Sequence, residues 1–143
     1  MMRIEFYSEN DFNLQDEDRF RDWLERVARS EERSIGEISF VFCDDDYLLE
    51  INQKFLQHDT YTDIITFDNS VGKILNADIY ISTDRVIENA DLYEVKFVEE
   101  LRRVMVHGVL HLCGYKDRTS EEKREMRTME DEKIKMFHVE QNQ

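Results

Sequence analysis

Two histidines four residues apart, His107 and His111, stand in the run His107-Gly108-Val109-Leu110-His111-Leu112-Cys113-Gly114-Tyr115-Lys116-Asp117. On an α-helix, residues at i and i+4 stack on one face, so the two imidazoles can converge on a single ion. The spacing suits zinc, which takes imidazole nitrogen at about 2.0–2.1 Å. Gly114 is expected to end the helix, and the turned chain to bring Asp117 back to the same point. Carboxylate oxygen is an ordinary third ligand for zinc. Three protein ligands leave one position open, the pattern of a catalytic rather than a structural site, and zinc can lower the pKa of water to about 7. The chemistry implied is metal-dependent hydrolysis at one zinc ion. A histidine pair at this spacing also arises by chance, and the glycine turn and nearby carboxylate are what raise its weight. Zinc peptidases of the His-Glu-x-x-His type carry a glutamate general base after the first histidine. Gly108 stands there, which argues against peptidase chemistry.

The elements that must position these residues are legible from periodicity. Ile4 and Phe6 alternate with polar neighbours and suggest a first strand. Leu14 to Ala28 places Leu14, Phe20, Trp23, Leu24 and Val27 at helical spacing, with Trp23 expected in the core. Ile38 to Cys43 reads as a strand of β-branched and aromatic residues. Asp44, Asp45 and Asp46 are suited to cap a helix over roughly Tyr47 to Leu56. Strands follow at Asp63–Phe67 and Asp78–Ile81, across a loop carrying Gly72, and Thr83 or Ser82 is expected to cap a helix to about Tyr93. Phe97 to Leu112 is the best helix, with Phe97, Leu101, Val104, Met105, Val109 and Leu112 on one broad apolar face. Gly114 stops it, because glycine tolerates a left-handed C′ residue. Thr119 and Glu122 form a capping-box pattern at the start of a last helix with a weak stripe of Met126, Met129 and Phe137. The fold class expected is α+β, helices packed on a mixed sheet of about four strands.

The 143 residues fit one domain, 1–143, able to bury roughly two thirds of its unfolded surface. A formal net charge of −14 argues against general affinity for polyanions, so a nucleic-acid substrate needs a local basic patch or a cation at the site. Cys43 and Cys113 are too few for a disulfide framework and read as buried free thiols of a reducing compartment. The first residues carry no apolar signal-peptide core and no apolar run approaches the length of a membrane span. The expected location is the cytoplasm, with no membrane partner.

Beyond spacing, the chain resembles the YbeY-type endoribonucleases, ribosomal RNA maturation factors. Their hallmark, His-Gly-x-Leu-His-Leu-x-Gly-Tyr-Asp-His, is matched at His107, Gly108, Leu110, His111, Leu112, Gly114 and Tyr115. Asn52, Phe55, Asp59, Thr62, Asp63 and Phe67 follow a second family pattern, and Ala77-Asp78-Ile79-Tyr80-Ile81 a third. The resemblance implies an α+β fold with a zincin-like metal helix, one zinc ion, and cleavage of single-stranded RNA in small-subunit ribosomal RNA 3′-end maturation and ribosome quality control. The partner implied is the small ribosomal subunit.

Three departures bear on the chemistry. Asp117 replaces the family's third metal-binding histidine, giving the ligand set one negative charge and partly quenching the metal's Lewis acidity. Leu56 stands where the family carries an arginine able to stabilise a phosphorane-like transition state. Lys54 and His58 are near enough in sequence to substitute, although both also read as surface residues. Tyr61 replaces a proline, which leaves that loop less rigid.

His107, His111, Asp59 and Asp63 are the catalytic candidates. Asp59 and Asp63 are each open to two uses, as a general base orienting water or as a turn hydrogen-bonder around Thr60 to Thr62. Arg102 and Arg103 read as exposed partners of Glu99 or Glu100, with phosphate binding the alternative. The charge run Glu121 to Lys135 reads as a solvated helix face, and His138 as part of a frayed tail with no ligand role. Two other functions stay open: a ribosome-associated binding factor with little catalysis, and a metal-dependent hydrolase of another substrate.

Overall fold

The computed structural model describes residues 2–138. In chain order these form β1 (Arg3–Ser8), α1 (Glu17–Ser30), β2 (Ser34–Cys43), α2 (Asp45–Leu56), β3 (Ile64–Asp68), β4 (Ile74–Ser82), α3 (Thr83–Leu92), α4 (Phe97–Leu112) and α5 (Ser120–Phe137). The strands make one sheet in the order β1-β2-β4-β3. β1 and β2 pair parallel, as do β2 and β4, and β3 runs antiparallel to β4 at the edge. The sheet is mixed and four-stranded among the described residues, and the α+β expectation is borne out.

Alternate side chains of a strand point to opposite faces, and β2 and β4 use this to build two unequal cores. Ile38, Phe40, Phe42, Ile79 and Ile81 meet Trp23 and Leu24 of α1, Leu101, Met105 and Val109 of α4, and Met126 and Phe137 of α5. Trp23 is fully buried as expected, and its Nε1 donates to the Lys133 carbonyl at 2.8 Å. Full burial of an aromatic of this size is worth roughly 1.5–3 kcal/mol. On the other face Cys43, Leu48 and Ile65 form a small cluster under α2. Both cysteines are free. Burial raises the Cys43 thiol to about 12 and Cys113 to about 11, so neither is poised as a nucleophile.

The expected caps hold. Asp44 accepts from the Tyr47 amide at 2.9 Å, Ser82 rather than Thr83 caps α3, and Thr119 with Glu122 completes the capping box. Three boundaries differ. α1 begins at Glu17 because Asp16 takes a left-handed conformation (φ 58°) that a helix does not continue through. Leu14 instead packs on the core from the preceding segment. β2 starts at Ser34, with an irregular register around Gly36, and β4 starts at Ile74.

Two glycines matter for placing α4. A Cβ on Gly108 would stand 3.0 Å from Ile64 Cδ1 and 3.4 Å from Ile79 Cδ1, so the bare backbone lets α4 lie close on β3 and β4. Gly114 has φ 104°. The Gly114 amide bonds to the His111 carbonyl at 3.0 Å and the Tyr115 amide to the Leu110 carbonyl at 3.1 Å, the paired bonds of a Schellman stop. That stop folds the chain back over the last turn of α4.

Two readings of charged residues are corrected. Arg103 pairs with Glu130 and Asp131 of α5, at 2.8 and 2.6 Å, and not with Glu99 or Glu100. Arg102 lies over the Phe137 ring, 4.0 Å from its centroid. Nor is the run Glu121 to Lys135 wholly solvated: Glu130 and Lys133 are buried, because α5 packs against both α4 and α1. His138 caps α5 and sets its ring edge-on to Phe137 at 5.7 Å, so it closes the helix.

Candidate metal centre

α4 presents His107 and His111 one turn apart, and the Schellman stop returns Asp117 to them. His107 Nε2 lies 3.1 Å from His111 Nε2 and 3.2 Å from Asp117 Oδ2. His111 Nε2 lies 3.4 Å from the same Oδ2. The three atoms therefore form a nearly equilateral triangle. Three donors each about 2.0–2.1 Å from a tetrahedral zinc ion stand about 3.3–3.4 Å apart, so the triangle has the dimensions that ion requires.

The protonation states agree with that fit. His111 Nδ1 lies 2.9 Å from the Tyr115 carbonyl oxygen, which can only accept, so Nδ1 carries the proton. His107 Nδ1 lies 2.6 Å from Glu130 Oε2. With both Nδ1 atoms donating, the neutral imidazoles turn lone pairs toward each other and toward a carboxylate oxygen. Such a convergence is repulsive unless a proton or a metal ion is shared among the donors, and with the proton displaced this donor chemistry fits a divalent ion.

The triangle sits at one side of a cleft of about 640 Å³ lined by Asn52, Leu56, His58, Asp63, Thr66 and Asp68 among others. The ligand candidates are partly open, with His107, His111 and Asp117 side chains 21%, 32% and 40% exposed. Burial lowers the His107 pKa, but the Glu130 hydrogen bond and charge, with Asp117 and Asp63, outweigh it and hold the value above that of ordinary histidine. Burial raises the Asp63 carboxyl, and His107 only partly offsets this.

The other candidates divide. Asp63 and His58 line the cleft, and so does Leu56 at the family's arginine position. Asp59 is exposed and accepts from Gln53 Nε2 at 2.5 Å, outside the cleft lining. Lys54 lies toward the Phe55 ring, 5.9 Å from its centroid. Tyr61 donates to Asp46 at 3.4 Å, a tether for the loop that lacks the proline. The contact of Glu130 with His107 lies outside the histidine motif. Its signal is a spacing: Met126, Glu130, Lys133 and Phe137 fall at intervals of four, three and four on the buried face of α5. Reading all charged residues as outward hides it.

Comparison with known proteins supplies the relationship. The family model described as Endoribonuclease YbeY matches residues 4–138. The Endoribonuclease YbeY of Christiangramia forsetii is 57% identical over 138 residues, covering 96% of each chain. That of Flavobacterium psychrophilum is 55% identical over 139 residues, 97% of this chain and 99% of its own. A Thermotoga maritima protein solved in solution superposes with a TM-score of 0.65 at 25% identity, over 94% of this chain and 88% of that one. No helix among the described residues is long and apolar enough to cross a membrane. By matched length and by identity, the chain belongs to the YbeY endoribonuclease family.

Proposed function

We propose that this protein is a zinc-dependent endoribonuclease that cleaves single-stranded RNA, with the 3′ end of small-subunit ribosomal RNA as the substrate the family implies. The observation that carries the reading is the triangle of unshared lone pairs on His107, His111 and Asp117 beside an open cleft, in a chain 57% identical to a named endoribonuclease. When bound there, zinc supplies a Lewis acid for a phosphate oxygen or for water.

The chain's own residues do the rest. His107, His111 and Asp117 would hold the ion. Asp63, half-buried near His107, takes and returns a proton in the cleft, and its raised pKa brings that transfer nearer neutrality. Asp59, tied to Gln53, is placed to shape the loop rather than to meet substrate. Leu56 contributes an apolar wall and no charge, so His58 is the side chain of that loop that would meet phosphate in the cleft. The cleft has the volume of a small-ligand site, suited to one or two unpaired nucleotides. In a protein carrying −14 charges, RNA needs such a local cation to approach. A reading as a cytoplasmic factor working at the small ribosomal subunit follows from the same family resemblance. A binding factor without catalysis is less favoured, since the relatives carry an endoribonuclease name.

The test is cleavage of single-stranded and duplex RNA by zinc-loaded protein. Cleavage confined to the single strand, lost in chelator and reduced at least about 100-fold in His107→Ala, is expected. Cleavage that persists in chelator and in that variant would overturn the reading.

A further inference from the structure

Glu130 is 23 residues from His107 in the chain and meets it at 2.6 Å. Its side chain is only 7% exposed. Burying a carboxylate is costly unless it is paired and hydrogen-bonded. Glu130 is satisfied on both oxygens: Oε1 accepts from Arg103 Nη1 at 2.8 Å, and Oε2 faces His107 Nδ1. Arg103 is held in turn by Asp131, and its guanidinium is always protonated. A carboxylate oxygen beside a permanent cation is an acceptor, so the proton shared with His107 belongs on Nδ1. The Nε2 lone pair then points at His111 and Asp117. In the opposite tautomer Nε2 would carry hydrogen into the donor triangle and could not ligate.

The geometry points to Glu130 as the positioning residue of His107. It selects the ligating tautomer, fixes the rotation of the ring and strengthens Nε2 as a donor, and so makes α5 part of the metal centre. His111 is arranged differently. Its Nδ1 bonds to a backbone carbonyl supplied by the Schellman turn, which no side-chain replacement removes. Loss of Glu130 should therefore disturb one histidine of the pair and spare the other. The inference rests on the triangle being a metal site, but it does not depend on RNA being the substrate.

The experiment measures zinc affinity of the metal-free full chain by competition with a chromophoric chelator, for wild type, Glu130→Gln and Glu130→Ala. A loss of about 10–100-fold is expected for both variants. Long-range 1H–15N spectra of the metal-free protein, taken at alkaline pH where His107 is neutral, should show His107 losing its Nδ1–H tautomer in Glu130→Ala while His111 keeps its own. Glu31→Gln, which weakens the ion pair between the end of α1 and Lys133 of α5, should lower the melting temperature with zinc affinity within about twofold. Should the alanine variant unfold, Glu130→Gln keeps the volume of the side chain and carries the affinity test alone. Zinc affinity in the Glu130 variants within about twofold of wild type would overturn the positioning role and leave the metal site standing. Failure of wild type itself to bind zinc would overturn both.

Discussion

Helix α5 carries two buried charged side chains three residues apart, and the clusters they join are opposites. Lys133 Nζ donates to Ser30 Oγ at 2.9 Å and pairs with Glu31 Oε2 at 2.9 Å. Glu31 Oε1 accepts from the Tyr115 hydroxyl at 2.8 Å. Every charge there meets its complement, and the cluster closes on itself. The Glu130 cluster does not close. Arg103, Glu130 and His107 Nδ1 balance one another, yet beyond them three lone pairs converge on a point open to solvent. Charged residues, helix and depth of burial are similar in both places. What separates a structural ion pair from a candidate metal centre is whether the donors and acceptors cancel. Tyr115 joins the two, its carbonyl accepting from His111 and its hydroxyl donating to Glu31.

The largest expected effect that tests this contrast is on the closed cluster. Lys133→Met leaves half-buried Glu31, its side chain 17% exposed, without its cation and should cost about 3 kcal/mol of unfolding free energy in urea. Zinc affinity of the folded variant should stay near that of wild type. A large loss of zinc affinity would show that the two clusters act as one.

Tyr115→Phe sharpens the division within one residue. The variant loses the hydrogen bond to Glu31, worth about 1.5–3 kcal/mol for a bond to a charged group, and keeps the carbonyl that orients His111. The melting temperature should fall while zinc affinity holds. Equal loss of both would place the tyrosine ring, and not the turn backbone, in control of His111.

The smallest effect is in the pH dependence, where the clusters carry opposite signs. For Glu31, burial raises the pKa, but the Lys133 and Tyr115 hydrogen bonds outweigh it, and the folded value lies below the ordinary one. Its contribution is therefore present above about pH 4.3, the ordinary glutamate value, and is lost as pH falls through the depressed folded value. For His107 in metal-free protein the folded value lies above that of ordinary histidine. Its contribution is present below about pH 6.5 and is lost as pH rises through the raised folded value. Urea unfolding across acid and neutral pH should show both limbs, with Glu31→Gln flattening the first and His107→Ala the second. Zinc should reverse the second limb, because the ion competes with the proton on His107.

Much of the site was legible in local sequence because its geometry is local. His107 and His111 share a face by helical spacing, Gly114 permits the stop, and Asp117 is three residues beyond it, so one helix and one turn determine the triangle. The capped helices and the alternating strands were readable for the same reason. The departures at Leu56 and Asp117 were also visible in the chain alone, and the structure adds that Leu56 lines the cleft. Strand order was not readable, since β2 pairs with β1 and with β4 across long separations that no local pattern encodes.

Glu130 and Lys133 lie in a run whose composition says solvent, and only the packing of α5 against α4 and α1 buries them. Asp59 and Asp63 looked equivalent in sequence, four residues apart in one loop, until the edge of the sheet turned Asp63 into the cleft and left Asp59 outside it. Ligand type and helical spacing are properties of a short segment, so the local order of residues sets which atoms could bind a metal. Which groups orient those atoms depends on packing, because burial and pairing follow from what distant elements bring alongside.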